Sequence, residues 1–278
     1  MQPEREGALL AYMESQEPSV KSQWLARGAV AGMRWLGLAV LDQLYPPVCL
    51  RCEAPTAHSD GLCAGCFAQL RPISAPLCPR LGIPFEFSLG ADAVSAEALA
   101  DPPPFERARA AVVYNEVART LISRLKYRDR PELAKFCARL MASAGHELWA
   151  GKPAVLVPVP LHRRRQRERR YNQSAEMALH LSRLTGVVAD LSLVSRIKPT
   201  RQQVGLSSTG RQRNVQGAFA VHPDLPVRLA GRRVVLVDDV YTTGATTKAV
   251  TRVLLRAGVE QVDVITFARV VVGEEEPI

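Results

Sequence analysis

The stretch VVLVDDVYTTGATTKA, residues 234–249, decides the fold. Its unbroken, mostly β-branched apolar run reads as a strand buried on both faces, as in a parallel sheet. Asp238 and Asp239 stand at the C-terminal end of that strand, where like charges repel unless a bound partner compensates them. Gly244 and Ala245 let backbone come close to a ligand, and Thr242, Thr243, Thr246 and Thr247 offer hydroxyls. They open a predicted helix whose free N–H groups and dipole favour an anion. Ligands of a doubly wound sheet bind beyond the C-terminal ends of its strands, which is where DDVYTTGAT lies. No GxxxxGK[ST] occurs and no GxGxxG follows a strand, so kinase, NTPase and dinucleotide readings lose ground. What remains is a cradle for one phosphate beside two acids that accept hydrogen bonds from sugar hydroxyls. A ribose 5-phosphate fits it.

Outward from this stretch the pattern alternates. ARAAVVY (108–114), AVLVPVP (154–160), LSLVSRI (191–197), GAFAV (217–221), RRVVLVDD (232–239) and QVDVITFARV (261–270) read as strands. Helical stretches fall between about 115 and 150, from Asn172 to Leu184 and from Thr246 to Ala257. Strands alternating with helices predict an α/β domain with a largely parallel sheet over 107–278. Ahead of it the sequence predicts a tail and one amphipathic helix in 1–47, ended by Pro46 and Pro47, and a cysteine-rich segment over 48–85. The proline cluster of ALADPPPFER gives 86–106 the composition of a linker.

In the cysteine-rich segment, Cys49 and Cys52 form one CxxC pair, and Cys63 and Cys66 form another ten residues on. Each pair can make a knuckle on a tetrahedral structural zinc ion, with a redox dithiol as the competing reading. Cys137 in ELAKFCARLMA falls on the apolar face of a predicted helix and reads as core. Six cysteines in 278 residues are too few for a disulfide scaffold, which predicts a reducing, cytoplasmic setting. The apolar stretch 28–41 carries Arg34 and is too short to span a bilayer, so neither a membrane helix nor a signal peptide is expected.

Net charge is +9, from 36 basic and 27 acidic residues, and favours an anionic partner. The densest basic segment is VPVPLHRRRQRERRYNQ (157–173), with Arg163, Arg164, Arg165, Arg167, Arg169 and Arg170 around Glu168. Such a row suits pyrophosphate, directly or through a bridging Mg²⁺, and suits a nucleic-acid backbone equally well. Both readings stay open, beside that of a basic helix half turned to water. A second basic segment, RQQVGLSSTGRQRNVQGAF (201–219), spaces Arg201, Gln203, Arg211 and Asn214 along a loop.

VVLVDDVYTTGAT closely resembles the phosphoribosyl pyrophosphate motif of the type I phosphoribosyltransferase fold. That resemblance implies ribose contacts for Asp238 and Asp239, and phosphate contacts for Thr242, Thr243, Gly244, Ala245 and Thr246. Taken with the two basic segments and the CxxC pairs, the chain over about 48–270 resembles the ComF/ComFC family of natural transformation, double zinc ribbon proteins with a phosphoribosyltransferase-like domain. The resemblance implies a parallel sheet flanked by helices with a small N-terminal zinc ribbon. It also implies phosphoribosyl pyrophosphate with Mg²⁺ as ligand, Arg163, Arg164, Arg165, Arg169, Arg170 and Arg211 as pyrophosphate or nucleic-acid contacts, and single-stranded DNA and uptake proteins as partners. Two departures stand out. Arg170 and Tyr171 replace the family's Gly-aromatic pair, and CPRLG keeps Cys78 but has Leu81 in place of a partner cysteine. A transferase that passes the phosphoribosyl group to a nitrogen acceptor, without any DNA role, is the alternative.

Overall fold

A computed structural model describes residues 46–57, 60–90, 93–127, 130, 132–169, 171–198, 210, 215–229 and 231–271, without the side chains at 164 and 226. Residues 1–45, with the amphipathic helix predicted within 1–47, lie outside them, as do Arg170, Arg201, Gln203, Arg211 and Asn214 of the two basic segments. One compact unit is formed by Val48–Ala54 and His58–Ile278, and the fold described here is that unit.

Its centre is a five-stranded, all-parallel sheet in the order β1-β7-β6-β2-β3. The strands are β1 (Ala108–Val113), β2 (Ala154–Pro158), β3 (Val188–Ala189), β6 (Arg233–Tyr241) and β7 (Val262–Arg269). A separate antiparallel pair joins β4 (Val194–Arg196) to β5 (Phe219–Val221). From β2 the chain steps outward to β3, then returns to the other side of β2 as β6. Loops that follow β2 and β6 therefore diverge, and a crevice opens between them.

The central strand explains why the sheet holds. Val234, Val235, Leu236 and Val237 are all fully buried, and each such side chain contributes about 1.5–3 kcal/mol by leaving water. Alternate residues of the pleat enter different cores. Val235 and Val237 pack with Leu121, Leu125, Leu133, Met141 and Leu181 from three helices, Glu116–Tyr127, Glu132–Ala144 and Gln173–Thr185. Val234 and Leu236 pack with Val250 and Leu254 of the helix Ala245–Arg256, and with Phe105, Leu193 and Phe219. Leu50 and Leu70 from the cysteine-rich segment join the first of these cores, and Cys78 and Leu81 join the second. Cys137 is fully buried in the first, as its place on the helix face predicts. Within 86–106, Ser95 caps the short helix Ala96–Ala100, and Phe105 is buried edge-on against Tyr241.

Two elements differ from the sequence reading. Strand β3 is only two residues long, with Val188 exposed at the sheet edge, so it carries no apolar run to mark it. β6 continues past its acids to Tyr241, which pairs with Arg269 of β7; the neighbouring strand supplies hydrogen-bond partners there that the local sequence does not announce. Among the described residues no helix is long and apolar enough to cross a membrane.

At the opposite end of the sheet Asp263 is wholly buried and takes two cations, Arg233 at 2.6 Å and Arg107 at 3.2 Å. Removing the anion leaves Arg233, itself buried, without a counter-charge. Asp263→Ala is expected to lower unfolding stability by about 3–5 kcal/mol, read from urea denaturation midpoints; a loss below about 1 kcal/mol would show that water replaces the carboxylate.

Candidate functional site

Both acids of β6 lie at its crevice end, Asp238 and Asp239 each nearly buried. Asp238 Oδ1 accepts hydrogen bonds from Ser174 Oγ at 3.1 Å and from the Asp239 amide at 3.0 Å. Asp239 accepts from the Val240 amide at 2.8 Å and from Gln173 Nε2 at 3.4 Å, and pairs with Lys126 Nζ at 2.6 Å. Ser174 and Gln173 are fixed by the start of their helix, where Asn172 accepts from the Ser174 amide and donates to Val159 O. Burial, then the charge of Asp239, pushes the Asp238 carboxyl up to about 7, against the pull of the Asp239 amide, Lys126 and Ser174.

Next comes the threonine loop. Gly244 has a left-handed backbone, φ 70°, and a Cβ there would run into the Tyr241 ring, so only glycine fits. It caps the helix Ala245–Arg256 without any side-chain hydrogen bond, which leaves the first N–H groups of that helix unclaimed by a cap. Thr243 Oγ1 is buried with no hydrogen-bond partner. Thr242 and Thr246 are half-buried, and Ala245 is buried. A buried hydroxyl without a partner beside unclaimed N–H groups is a group of donors waiting for an acceptor.

The arginines are divided. The basic segment forms the helix Arg163–Arg169, one residue after His162 bridges to Arg196 of β4. Arg163 and Arg167 face solvent. Arg169 stacks on the Tyr127 ring at 5.0 Å and donates to its hydroxyl at 3.2 Å. Arg165 is half-buried and shares an electrostatic neighbourhood with Arg196, which in turn feels Asp238. Burial, then Arg165, pulls the Arg196 guanidinium down to about 10, and Asp238 opposes this. Tyr171, where the family has an aromatic residue, donates its hydroxyl to Leu125 O.

Four residues of this site escaped the sequence reading: Lys126, Gln173, Ser174 and Arg196. Gln173 and Ser174 follow an N-capping Asn172 at a helix start, a position from which side chains face the crevice, so a signal was present. Lys126 near the end of an amphipathic helix reads as a cation serving the helix dipole. Arg196 reads as one polar residue in a short strand.

In the cysteine-rich segment the Sγ atoms of Cys49, Cys52, Cys63 and Cys66 all lie within 4.8 Å of one another, with Cys52 and Cys63 at 3.6 Å. Four thiols so placed fit a tetrahedral zinc ion, whose Zn–S bonds of about 2.3 Å put sulfurs near 3.8 Å apart. Burial opposes ionisation of Cys49, but amide donors from Cys52, Cys63 and Arg51 outweigh it and bring the thiol down to about 6. Cys66 is pushed up to about 12 by burial and the neighbouring thiols. Cys78 stands apart, with Sγ accepting from the Leu81 amide and from Ser95; among the described residues it belongs to no second metal cluster.

Comparison with known proteins agrees with this layout. Residues 40–98 match the double zinc ribbon domain family and residues 174–278 the phosphoribosyl transferase domain family. The chain is 33% identical over 233 residues to the DNA utilization protein YhgH of Salmonella typhimurium, covering 81% of this chain and 97% of that protein. It is 32% identical over 232 residues to competence protein F of Haemophilus influenzae, covering 80% and 96%, and 25% identical over 234 residues to competence protein ComFC of Bacillus subtilis, covering 77% and 91%.

The raised Asp238 carboxyl fixes a sign. Its folded pKa of about 7 exceeds the ordinary 3.8, so ionising it costs the folded state, and the ligand-free protein loses stability from this group as pH rises through that window. Asp238→Asn is expected to raise Tm by a few degrees more at about pH 8 than at about pH 5. Equal gains at both pH values in thermal melts would refute the assignment.

Proposed function

Because the chain belongs to the ComF/ComFC family, with a double zinc ribbon and a phosphoribosyltransferase domain, we propose that it binds phosphoribosyl pyrophosphate with Mg²⁺ and assists the uptake or processing of transforming single-stranded DNA. One observation carries the ligand: two buried carboxylates at the crevice end of the central strand, beside a helix start with no side-chain cap and a buried Thr243 hydroxyl without a partner. Carboxylates accept from ribose hydroxyls. The 5-phosphate is met by the Thr243 hydroxyl and the backbone of Gly244 and Ala245, with Thr242 and Thr246 at the rim, where N–H donors and the helix dipole favour an anion. Mg²⁺ enters on the ligand's phosphates, where it offsets their charge. Arg165 and Arg196 add positive charge near Asp238, which suits a pyrophosphate group.

The DNA role draws on the names of the relatives and on the basic helix Arg163–Arg169, two of whose arginines face solvent. Those guanidiniums suit a phosphate backbone, and the resulting affinity depends steeply on salt. The zinc site keeps the two CxxC turns together and supplies structure rather than chemistry.

Asp238→Asn combined with Asp239→Asn is expected to weaken phosphoribosyl pyrophosphate binding by about tenfold or more in calorimetry with Mg²⁺, since charge-assisted hydrogen bonds to the ribose are lost. Unchanged affinity would reject the ligand. Release of pyrophosphate on adding a nitrogen nucleophile would favour the transferase reading instead. Binding of single-stranded DNA should fall steeply between low and high salt, and Arg163→Ala should flatten the log–log slope by about 0.7; salt-independent binding would remove the backbone contact.

A further inference from the structure

One half-buried cation of the site has no part in that ligand reading. Lys126 ends the helix Glu116–Tyr127 but one, and its Nζ lies 2.6 Å from Asp239 Oδ2 with the side chain only 22% exposed. That helix is held firmly against the cysteine-rich segment. Arg124 donates to Leu50 O at 3.0 Å and pairs with Glu53 at 2.9 Å, and Glu116 pairs with Arg51 at 3.1 Å. A lysine so mounted and so close to a buried acid differs from a solvated surface pair, whose strength is diluted by water and by side-chain entropy.

The two acids are not equivalent acceptors. Both oxygens of Asp239 are engaged, Oδ1 by the Val240 amide and Oδ2 by Gln173 and Lys126. Asp238 Oδ1 takes Ser174 and the Asp239 amide, whereas its Oδ2 receives no hydrogen bond from the described residues. Adjacent buried carboxylates repel each other, and the repulsion falls on whichever has no cation of its own.

We propose that Lys126 is the counter-ion of the acid pair: it takes up the charge of Asp239 and so leaves Asp238, with its open oxygen, to accept the hydroxyl of a phosphoribosyl ligand. This rests on the ligand reading above and assigns unlike roles to the two acids. Asp239 is the ribose acceptor that Lys126 and Gln173 hold in place, and Asp238 is the one whose ionisation ligand binding requires. Lys126 is a positioning residue, since it acts through Asp239.

Other groups face the pair from each element packed on it. Tyr114 beyond β1 and Cys137 of the helix Glu132–Ala144 sense Asp239. Ser174 and Gln173 bond the two acids, and Arg196 of β4 feels the charges of Asp238 and of Arg165. Burial holds Tyr114 and Cys137 uncharged, their pKa values raised. The cations that set when Asp238 ionises are therefore Lys126 and Arg196. Ligand affinity should fall as pH drops through the Asp238 carboxyl, which sits near 7, and loss of Lys126 should move that fall upward.

The test compares wild type with Lys126→Met and Lys126→Arg in the full chain, by calorimetry with phosphoribosyl pyrophosphate and Mg²⁺ over about pH 6–9. It also follows the Asp238 carboxyl by ¹³C NMR without ligand. Lys126→Met is expected to weaken binding about tenfold near neutrality and to move both the binding and the carboxyl midpoints up by about one pH unit. Lys126→Arg should keep both near wild type, which separates charge from packing. Wild-type affinity and midpoints in Lys126→Met would overturn the proposal, as would an equal loss at every pH with unmoved midpoints. If wild type itself does not bind the ligand, the function proposed above fails. The carboxyl titration then decides the role of Lys126 alone: an upward move in Lys126→Met sustains the counter-ion, and no move overturns it.

Discussion

Two carboxylates placed next to each other at the end of a buried strand are the constraint on which the rest of this site depends. Burial and the neighbouring charge both favour the neutral form of Asp238, so donors and cations around the pair must oppose them. The surrounding elements each supply one remedy. The helix Glu116–Tyr127 brings Lys126, the helix Gln173–Thr185 brings Gln173 and Ser174 at its first turn, and β4 brings Arg196. What the site gains is an anionic acceptor surface at a crevice formed by two diverging loops, with Asp238 kept close to its point of ionisation.

The cysteine-rich segment connects to this constraint through packing. Leu50 and Leu70 enter the same core as Val235 and Val237 of the central strand. Arg51 and the Leu50 carbonyl hold the two ends of the helix that carries Lys126. The knuckle therefore buttresses the helix from outside while the sheet receives it from inside. Four sulfurs within 4.8 Å would repel as thiolates without an ion, so metal binding and the seating of this helix are tied together by charge as well as by contact.

Much of the fold was legible because periodicity reports burial directly. The apolar runs at 154–160, 232–239 and 261–270 each became a strand of the sheet, since a strand covered on both faces has no polar alternation to hide it. Gly244 reads in the sequence as a close approach of backbone to a ligand, and the structure gives it a further duty, since a left-handed backbone against the Tyr241 ring admits no side chain. β3 escaped notice, as a two-residue edge pairing carries no pattern of its own. The arginine segment was only partly readable. Its density is plain, but which guanidiniums turn to water and which stack, as Arg169 does on Tyr127, depends on a ring 42 residues away in the chain.

The sequence by itself determined the alternation of strands and helices, the acid pair, the threonine-glycine turn and the two CxxC pairs, because each is a pattern carried by a short run of consecutive residues. Only the tertiary structure decided what surrounds the acids. Lys126 is more than a hundred positions from Asp239, and Ser174 is 64 from Asp238. No local periodicity distinguishes a lysine that ends a helix in water from one that ends it on a buried carboxylate. That difference arises when two helices and β4, from three parts of the chain, close on one strand end, where the low dielectric makes each charge answer to its neighbours.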